Sequence, residues 1–308
     1  MAQRRELLDK RFERLSVKKY IGSNRHGNAL WECVCDCGTI CIVKGTNLWN
    51  GGTKSCGCLQ KETARRVCQE MVDKRENQWL GWIISPFMRG MTDGLMLGDG
   101  NIRIGANHRN GLCKIGLVHR IPIESYKTIF VNEGFSFGIR SPYCYETSSP
   151  NGKICWTWEI TSRVHPFFTE QYHRWYPEGK KIIPKDLVLT PLPVKHWYYG
   201  DGGLTYEHGG TKNAYFSTQG FTFGDCEFLC FLFKKTLGIN PRIDKVKRDS
   251  GKIQPKIVVN KSQIPNLLSY IGPCDPEFSC YSYKWIIDNR ELYNYHKNNC
   301  PCLGATNA

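Results

Sequence analysis

No apolar run in the 308-residue chain approaches the roughly 20 residues that a membrane-spanning helix requires. The opening residues, Met1-Ala2-Gln3-Arg4-Arg5-Glu6, lack the apolar core of a secretory signal, so neither a membrane protein nor a secreted one is expected. Acids are also scarce. Asp and Glu number 28 against 42 Lys and Arg, a formal net charge of +14 and a sequence pI near 9.1. The basic residues are spread along the chain and form no tail. A folded surface of that sign attracts phosphate backbones, and less often anionic lipid. The length supports one substantial core with a small accessory module, not several large domains.

Cysteine and aromatic side chains, by contrast, are plentiful. Sixteen cysteines without a secretory signal point to thiols or metal ligands in a reducing compartment, not to a disulfide framework. Rings sit beside basic residues in Tyr172-His173-Arg174-Trp175 and Tyr283-Lys284-Trp285. Such pairs suit stacking on bases, and equally suit core rings whose neighbours reach out to solvent.

Patterning divides the chain into five stretches. Residues 1–60 are a Cys-rich module with short β-like runs at Arg14–Val17 and Ile40–Val43. Residues 61–81 are polar helix formers without Gly or Pro before Gly81, a helical linker. From 82 to 190 the pattern predicts helix at Pro86–Leu97, strands at Ile102–Ile104 and Ile115–Val118, helix at Ile123–Asn132, strands near 137–146 and 154–161, and helix near 166–176. From 191 to 290 the order restarts: helix at Pro193–Tyr199, strand at Ala214–Ser217, helix at Cys226–Leu237, strands near 241–247 and 255–260, helix at Gln263–Tyr270. The Asn-rich end, 291–308, reads as disordered, with Cys300 and Cys302 as a pair of plain thiols.

Each copy carries a chemical landmark. Gly94-Leu95-Met96-Leu97-Gly98-Asp99-Gly100 ends the first apolar helix, and His196-Trp197-Tyr198-Tyr199-Gly200-Asp201-Gly202 ends its counterpart. Gly94 and Gly98, four apart, lie on one helix face and permit close approach of a second backbone. The glycine after each acid suits the turn that ends a helix. Two carboxylates crowded at helix C-termini resist ionisation. Hard divalent cations relieve that by taking carboxylate, carbonyl and water oxygens, and such ions serve phosphodiester hydrolysis.

With these motifs the chain resembles the LAGLIDADG homing endonucleases of the monomeric, intron-encoded form that carries two motifs. The copies are Thr92–Gly100, which keeps the Gly-Leu and Asp-Gly of the pattern, and Val194–Gly202, the variant with aromatic residues before the acid. Lys180-Lys181-Ile182-Ile183-Pro184, Ser217-Thr218-Gln219-Gly220-Phe221-Thr222-Phe223 and Tyr283-Lys284 support the match, which covers residues 82–290. The resemblance implies an α+β fold, a duplicated αββαββα core with pseudo-twofold symmetry whose antiparallel sheets form a saddle over DNA. It implies a double-strand DNA endonuclease using Mg2+ or Mn2+, with Asp99 and Asp201 as metal-binding acids and the carbonyls of Gly98 and Gly200 as further ligands. Lys181 and Lys284 match the basic residues flanking the two sites. They either act on water or a phosphate oxygen, or are solvated lysines. Gln219 is either polar support for the second site or a strand-end hydrogen-bonding group.

On a saddle of this kind alternate strand residues face the duplex. Arg103, Lys114 and His119 suit that place in the first half, and Arg242, Lys245, Lys247 and Lys256 in the second, as readers of guanine edges or phosphates. One departure is His196, which stands where the first motif has Gly94 and puts a close, symmetric helix crossing in question; it reads as a packing residue. The implied partner is double-stranded DNA, with the chain's own intron RNA as a second partner if it acts as a maturase. A non-cutting DNA-binding regulator is the other alternative. A monomer is implied, in a bacterial or phage-infected cytoplasm or an organellar matrix. Short 3′ overhangs and mobility of its own intron or free-standing gene complete the expectation. The chain does not begin with Cys or Ser and lacks a terminal His-Asn, so intein splicing is not expected.

The Cys-rich module has its own logic. Trp31-Glu32-Cys33-Val34-Cys35-Asp36-Cys37-Gly38 and Ser55-Cys56-Gly57-Cys58-Leu59 present five thiols for the four places of a structural zinc site. Cys35, Cys37, Cys56 and Cys58 are the favoured set, with Cys33 as a substitute. The stretch resembles small Cys-rich modules at the front of phage-type DNA-binding proteins and endonucleases, and Lys44, Asn47 and Lys54 then suit DNA contact.

Overall fold

The computed structural model describes residues 5–77, 79, 82–106, 109–148, 154–248 and 250–299. Its contacts divide the chain into two compact units, Met1–Trp82 and Ile83–Ala308. In the first, four antiparallel strands lie side by side in chain order: β1 (Arg11–Phe12), β2 (Leu15–Ser23), β3 (Ala29–Cys35) and β4 (Ile40–Lys44). Alternation carries Leu15 and Val17 of β2, and Trp31, Cys33 and Cys35 of β3, to one face. Leu7, Val43 and Leu48 of the short helix α1 (Gly45–Trp49) complete this small core. Helix α2 (Cys58–Asn77) follows, and from Gln60 to Met71 it is exposed on every side.

The second unit runs through the same seven elements twice. The first series is α3 (Pro86–Leu97), β5 (Gly100–Arg103), β6 (Leu112–Leu117), α4 (Arg120–Asn132), β7 (Tyr143–Ser148), β8 (Ile154–Thr161) and α5 (Pro166–Trp175). The second is α6 (Pro191–Asp201), β9 (Gly202–Glu207), β10 (Gly210–Phe216), α7 (Phe223–Leu232), β11 (Arg242–Lys247), β12 (Ile253–Asn260) and α8 (Ile264–Ile271). Both sets of strands form an antiparallel sheet of one order, β5-β6-β8-β7 and β9-β10-β12-β11. The α+β fold with a duplicated αββαββα core is therefore present. Proline opens α3, α5 and α6, a position where its missing N–H costs nothing. Ser85 caps α3 by accepting from the Met88 amide at 3.0 Å.

The two motif helices lie at the centre of this unit. Every residue from Met91 to Leu97 is buried, as are His196, Trp197, Tyr198 and Tyr199. Gly90, Gly94 and Gly98 form the contact stripe of α3. A Cβ on Gly94 would lie 2.6 Å from the Pro193 carbonyl oxygen and 2.8 Å from His196 Cβ. The crossing is thus close despite His196, because Gly94 vacates the volume that His196 enters. His196 packs inside, its Nδ1 2.9 Å from the Tyr126 hydroxyl.

Three expectations need correcting. The glycine after each acid is required by space, not by a left-handed turn: a Cβ on Gly100 would lie 2.7 Å from the Leu95 oxygen, and one on Gly202 2.1 Å from Tyr198 Cδ2. Residues 290–298 of the tail are ordered as helix α9 (Arg290–Asn298), held by buried Tyr293 against Tyr206 and Tyr283 at 4.9 and 5.2 Å between ring centroids; Cys300 and Cys302 lie outside the described residues. Cys280 is disulfide-bonded, although 12 other cysteines among the described residues are free thiols.

Gly94→Ala is expected to cost about 2 kcal/mol or more through overpacking. Gly116→Ala, whose new methyl would touch only Thr157 Cγ2 at 3.6 Å, should stay within about 0.5 kcal/mol. Equal losses in chemical unfolding would contradict the tight crossing. A pH effect follows from His119, His165 and His196, each pushed by burial from 6.5 to about 4. The unfolded chain takes up protons at these histidines near pH 6.5 that the folded one refuses until near 4, so their contribution to stability is full above about 6.5 and falls as the pH drops towards 4. The urea midpoint should be lower at pH 5 than at pH 7, and His196→Gln should flatten part of that slope.

Candidate active site

The helix crossing delivers two acids to one place. Asp99 follows Gly98, the C-cap of α3, and Asp201 is the last residue of α6. Asp99 leans across the α6 backbone: a Cβ on Gly200 would lie 2.5 Å from Asp99 Oδ2. Asp99 keeps a solvent-exposed edge and Asp201 is half-buried. Desolvation pushes both carboxyls up, Asp201 to about 7 with the charge of Asp99 adding to the effect, while Lys284 and Lys181 pull both down. Burial in turn pushes Lys181 and Lys284 down to about 8 against the pull of the two acids. Four opposed charges thus share one partly dry place.

The two lysines have different duties. Lys284, from the 3-10 segment Pro276–Trp285, is buried and donates to the carbonyls of Tyr198, Tyr199 and Gly200 at 3.1, 2.5 and 3.2 Å. Its three protons meet three carbonyls at the end of α6, so it caps the helix that carries Asp201. The expectation of an ammonium aimed at water or phosphate is corrected for Lys284. The Gly200 carbonyl, expected as a metal ligand, is one of the groups it engages. Half-buried Lys181 donates to the Gly100 carbonyl at 3.3 Å, on the other side of the pair. The Gln219 carbonyl accepts from Gln254 at 2.9 Å.

Sequence reasoning missed what stands behind the acids. Tyr126, His196, Tyr199 and Tyr281 line a small recess behind Asp99, and Phe278 stacks on Tyr199 at 4.7 Å. Two internal ion pairs brace the helices. Asp93 of α3 is held by Arg174 of α5, and Lys195 of α6 is held by Asp275 at 2.8 Å. Asp93 and Lys195 each stand six residues before the motif acid. That shared offset was the available signal.

Register fixes which strand residues reach the open face of each sheet. Ile115 pairs with Ile160 on the core side, so Lys114, opposite Thr161, faces outward with exposed Arg103. On the other sheet Asp244 pairs with Lys256 and Arg242 with Val258, opposite in parity to the core pair Ile243 and Ile257. Arg242 and Lys256 therefore share the open face, the latter with its ammonium 3.7 Å from the Tyr215 ring centroid. Lys245 and Lys247 do not: they stand on the Ile243 side of β11 and are exposed beyond the core. His119 is also corrected. It is 5% exposed and edge-on to Tyr281, enclosed at the entry to α4.

In the first unit, Cys35, Cys37, Cys56 and Cys58 bring their sulfurs within 4.8 Å of one another. The closest pairs are Cys37–Cys56 at 3.3 Å and Cys35–Cys58 at 3.6 Å. Sulfurs of a tetrahedral zinc thiolate site stand about 3.8 Å apart, so the set fits that ion. Gly38 (φ 85°), just after Cys37, and Gly57 (φ 104°), between Cys56 and Cys58, supply the left-handed turns of the two Cys-x-Cys pairs. Cys33 lies outside the cluster; it is fully buried and its thiol points to the Trp31 carbonyl. Lys44 and Lys54 are exposed, Lys54 within 3.8 Å of Glu13; Asn47 turns its carbonyl to the Thr53 amide.

So few buried side chains do not stabilise a module of this size alone, and metal binding would supply the difference. Chelation is expected to unfold the first unit and leave the melting of the second unchanged. Circular dichroism with a thiol assay checks this: on chelation the four cluster thiols and the buried Cys33 are expected to become newly reactive, and an unchanged first transition would rule out a structural metal.

Comparison with known proteins agrees with this architecture. The model described as the LAGLIDADG DNA endonuclease family matches residues 89–267, a span that includes both acids and all eight strands of the second unit. An uncharacterised protein of Methanocaldococcus jannaschii is 32% identical over 169 residues, 53% of this chain and 61% of its own. The cytochrome b mRNA maturase bI2 of Debaryomyces hansenii is 27% identical over 41% of this chain and 45% of its own. Its Saccharomyces cerevisiae namesake is 26% identical over 58% and 43%. The chain thus spans less than two-thirds of the length of these curated relatives. Among solved structures, the homing endonuclease I-WcaI bound to its DNA recognition sequence has the same fold, with a TM-score of 0.58 at 23% identity over 70% of this chain and 92% of that one. With both acids and both sheets inside the matched span, the chain belongs to the LAGLIDADG DNA endonuclease family.

Proposed function

We propose that this chain is a site-specific homing endonuclease that hydrolyses one phosphodiester on each strand of a DNA duplex, using Mg2+ or Mn2+. The observation that carries the reading is the meeting of Asp99 and Asp201 at the ends of the crossed helices, with Lys181 and Lys284 beside them. Two acids desolvated together are a poor arrangement for the protein alone and a good one for a divalent cation. Asp99 and Asp201 would hold it, with the Gly98 carbonyl available and the Gly200 carbonyl shared with Lys284. When bound, such an ion lowers the pKa of water and stabilises the leaving oxygen. The chain's own part is to fix both carboxylates. Lys284 holds the end of α6 and Lys181 the start of β5, and both ammonium groups offset the charge of the acids.

The open faces of the two sheets, with Arg103 and Lys114 on one and Arg242 and Lys256 on the other, would lie on the duplex. We assign the first unit as a zinc-stabilised DNA contact, with Lys44 and Lys54 towards phosphate, and the whole as a monomer. A second reading, assistance to splicing of intron RNA, is favoured by one observation: two of the matched relatives are named mRNA maturases. Among the described residues no helix is long and apolar enough to cross a membrane.

Asp99→Asn and Asp201→Asn should each lower cleavage of a selected target by about a hundredfold or more while binding persists. Nicking of the two strands should proceed at unequal rates, because only α6 is capped by a buried lysine. Tight binding by the wild type without nicking under Mg2+ or Mn2+ would reject the nuclease reading, and rescue of intron splicing in that case would favour the maturase.

A further inference from the structure

One sheet face that should meet phosphate carries a carboxylate at its centre. Glu159 lies on the open side of β8, out of phase with the core residues Ile115 and Ile160, yet it is only 1% exposed. Neighbouring strands cover it. Lys114 of β6 forms an ion pair with its Oε2, and Tyr145 of β7 donates its hydroxyl to the same oxygen at 3.0 Å. Thr161 of β8 donates to Oε1 at 3.2 Å. A carboxylate taken out of water is tolerated when donors replace the water, and three side chains on three strands do so here. The second sheet has no counterpart among the described residues. Its Arg242–Asp244 pair stands at 42% and 45% side-chain exposure.

Valence then fixes what this face offers. An ionised carboxylate only accepts, and a hydroxyl has one proton to give. Tyr145 and Thr161 give theirs to Glu159, so each turns oxygen lone pairs outward. Lys114 commits one proton and keeps two. The result is a donor beside two acceptors whose polarity cannot reverse while Glu159 is charged.

We propose that Glu159 is a positioning residue for sequence reading, setting the polarity of a base-reading patch made by Lys114, Tyr145 and Thr161. The proposal rests on the reading that this face lies on duplex DNA. The two acceptors suit the exocyclic amino group of adenine or cytosine, and the free protons of Lys114 suit guanine O6 and N7. Glu159 itself touches no base.

Selection from a randomised duplex library, with wild type, Glu159→Gln and Tyr145→Phe compared, tests this. In Glu159→Gln the new side-chain amide donates where the carboxylate accepted, so a hydroxyl is freed to turn its proton outward and Lys114 loses its ion pair. Preference should fall about five- to tenfold at adjacent base pairs of one half-site, with the other half-site unchanged. Tyr145→Phe removes one acceptor and should relax a narrower part of the same stretch. If Glu159→Gln does not fold, Tyr145→Phe and Thr161→Val decide by the same measure. Folded variants that select the wild-type sequence at every position would make Glu159 purely structural and overturn the proposal. A wild-type protein that enriches no sequence would overturn the DNA reading and this proposal with it, a result distinguishable from unchanged enrichment by the variants.

Discussion

The approach of two helix backbones at Gly94 governs the second unit. A glycine stripe on α3 lets Pro193 and His196 of α6 come within the distance of one methyl group, and no other side chain would permit it. Because each sheet begins directly after its motif helix, through Gly100 and Gly202, the crossing also fixes where both sheets start. Those two glycines are needed for the same reason as Gly94: the strand folds back so sharply over the last helical turn that a Cβ would strike it. One packing constraint thus sets the separation of the acids and the origin of both sheets.

Placing acids at helix ends is unfavourable, since the dipole at a C-terminus repels negative charge. The structure offsets this in different ways on the two sides. On α6 a buried ammonium occupies the last carbonyls. On α3 the corresponding lysine reaches past the helix to the first strand residue. The pseudo-twofold therefore relates folds more faithfully than it relates charges.

Much of this was legible in the sequence, where the relevant signal is local. The helix starts at Ser85-Pro86 and His165-Pro166 are written locally, the acid-bearing motifs recur at matching places, and four cysteines fall in two short clusters; the second motif helix, expected from Pro193, begins at Pro191. What was not legible depends on partners distant in the chain. In β11 the apolar residues Ile243 and Val246 differ in parity, so sequence alone does not say which face is inner; pairing with β12 decides it and turns Lys245 and Lys247 away from the open face. His119 reads as a strand-end base and is enclosed by Tyr281 from the far half. Lys284 reads as a surface lysine until the carbonyls of α6 are placed around it. Glu159 reads as a solvent-facing acid in an alternating strand, and only three strands together reveal its burial.

The bracing pairs bear on how such a chain could be recombined. Asp93 with Arg174 and Lys195 with Asp275 are the same device with the charges exchanged. Each motif helix is thereby keyed to its own half. Exchanging α3 and α6 alone would set acid against acid in one half and base against base in the other, each partly buried. A crossover in the segment joining α5 to α6 keeps both pairs intact. Productive chimeras of this scaffold are therefore to be sought by trading whole halves at that joint, with the complementary stripe of the partner helix as the remaining requirement.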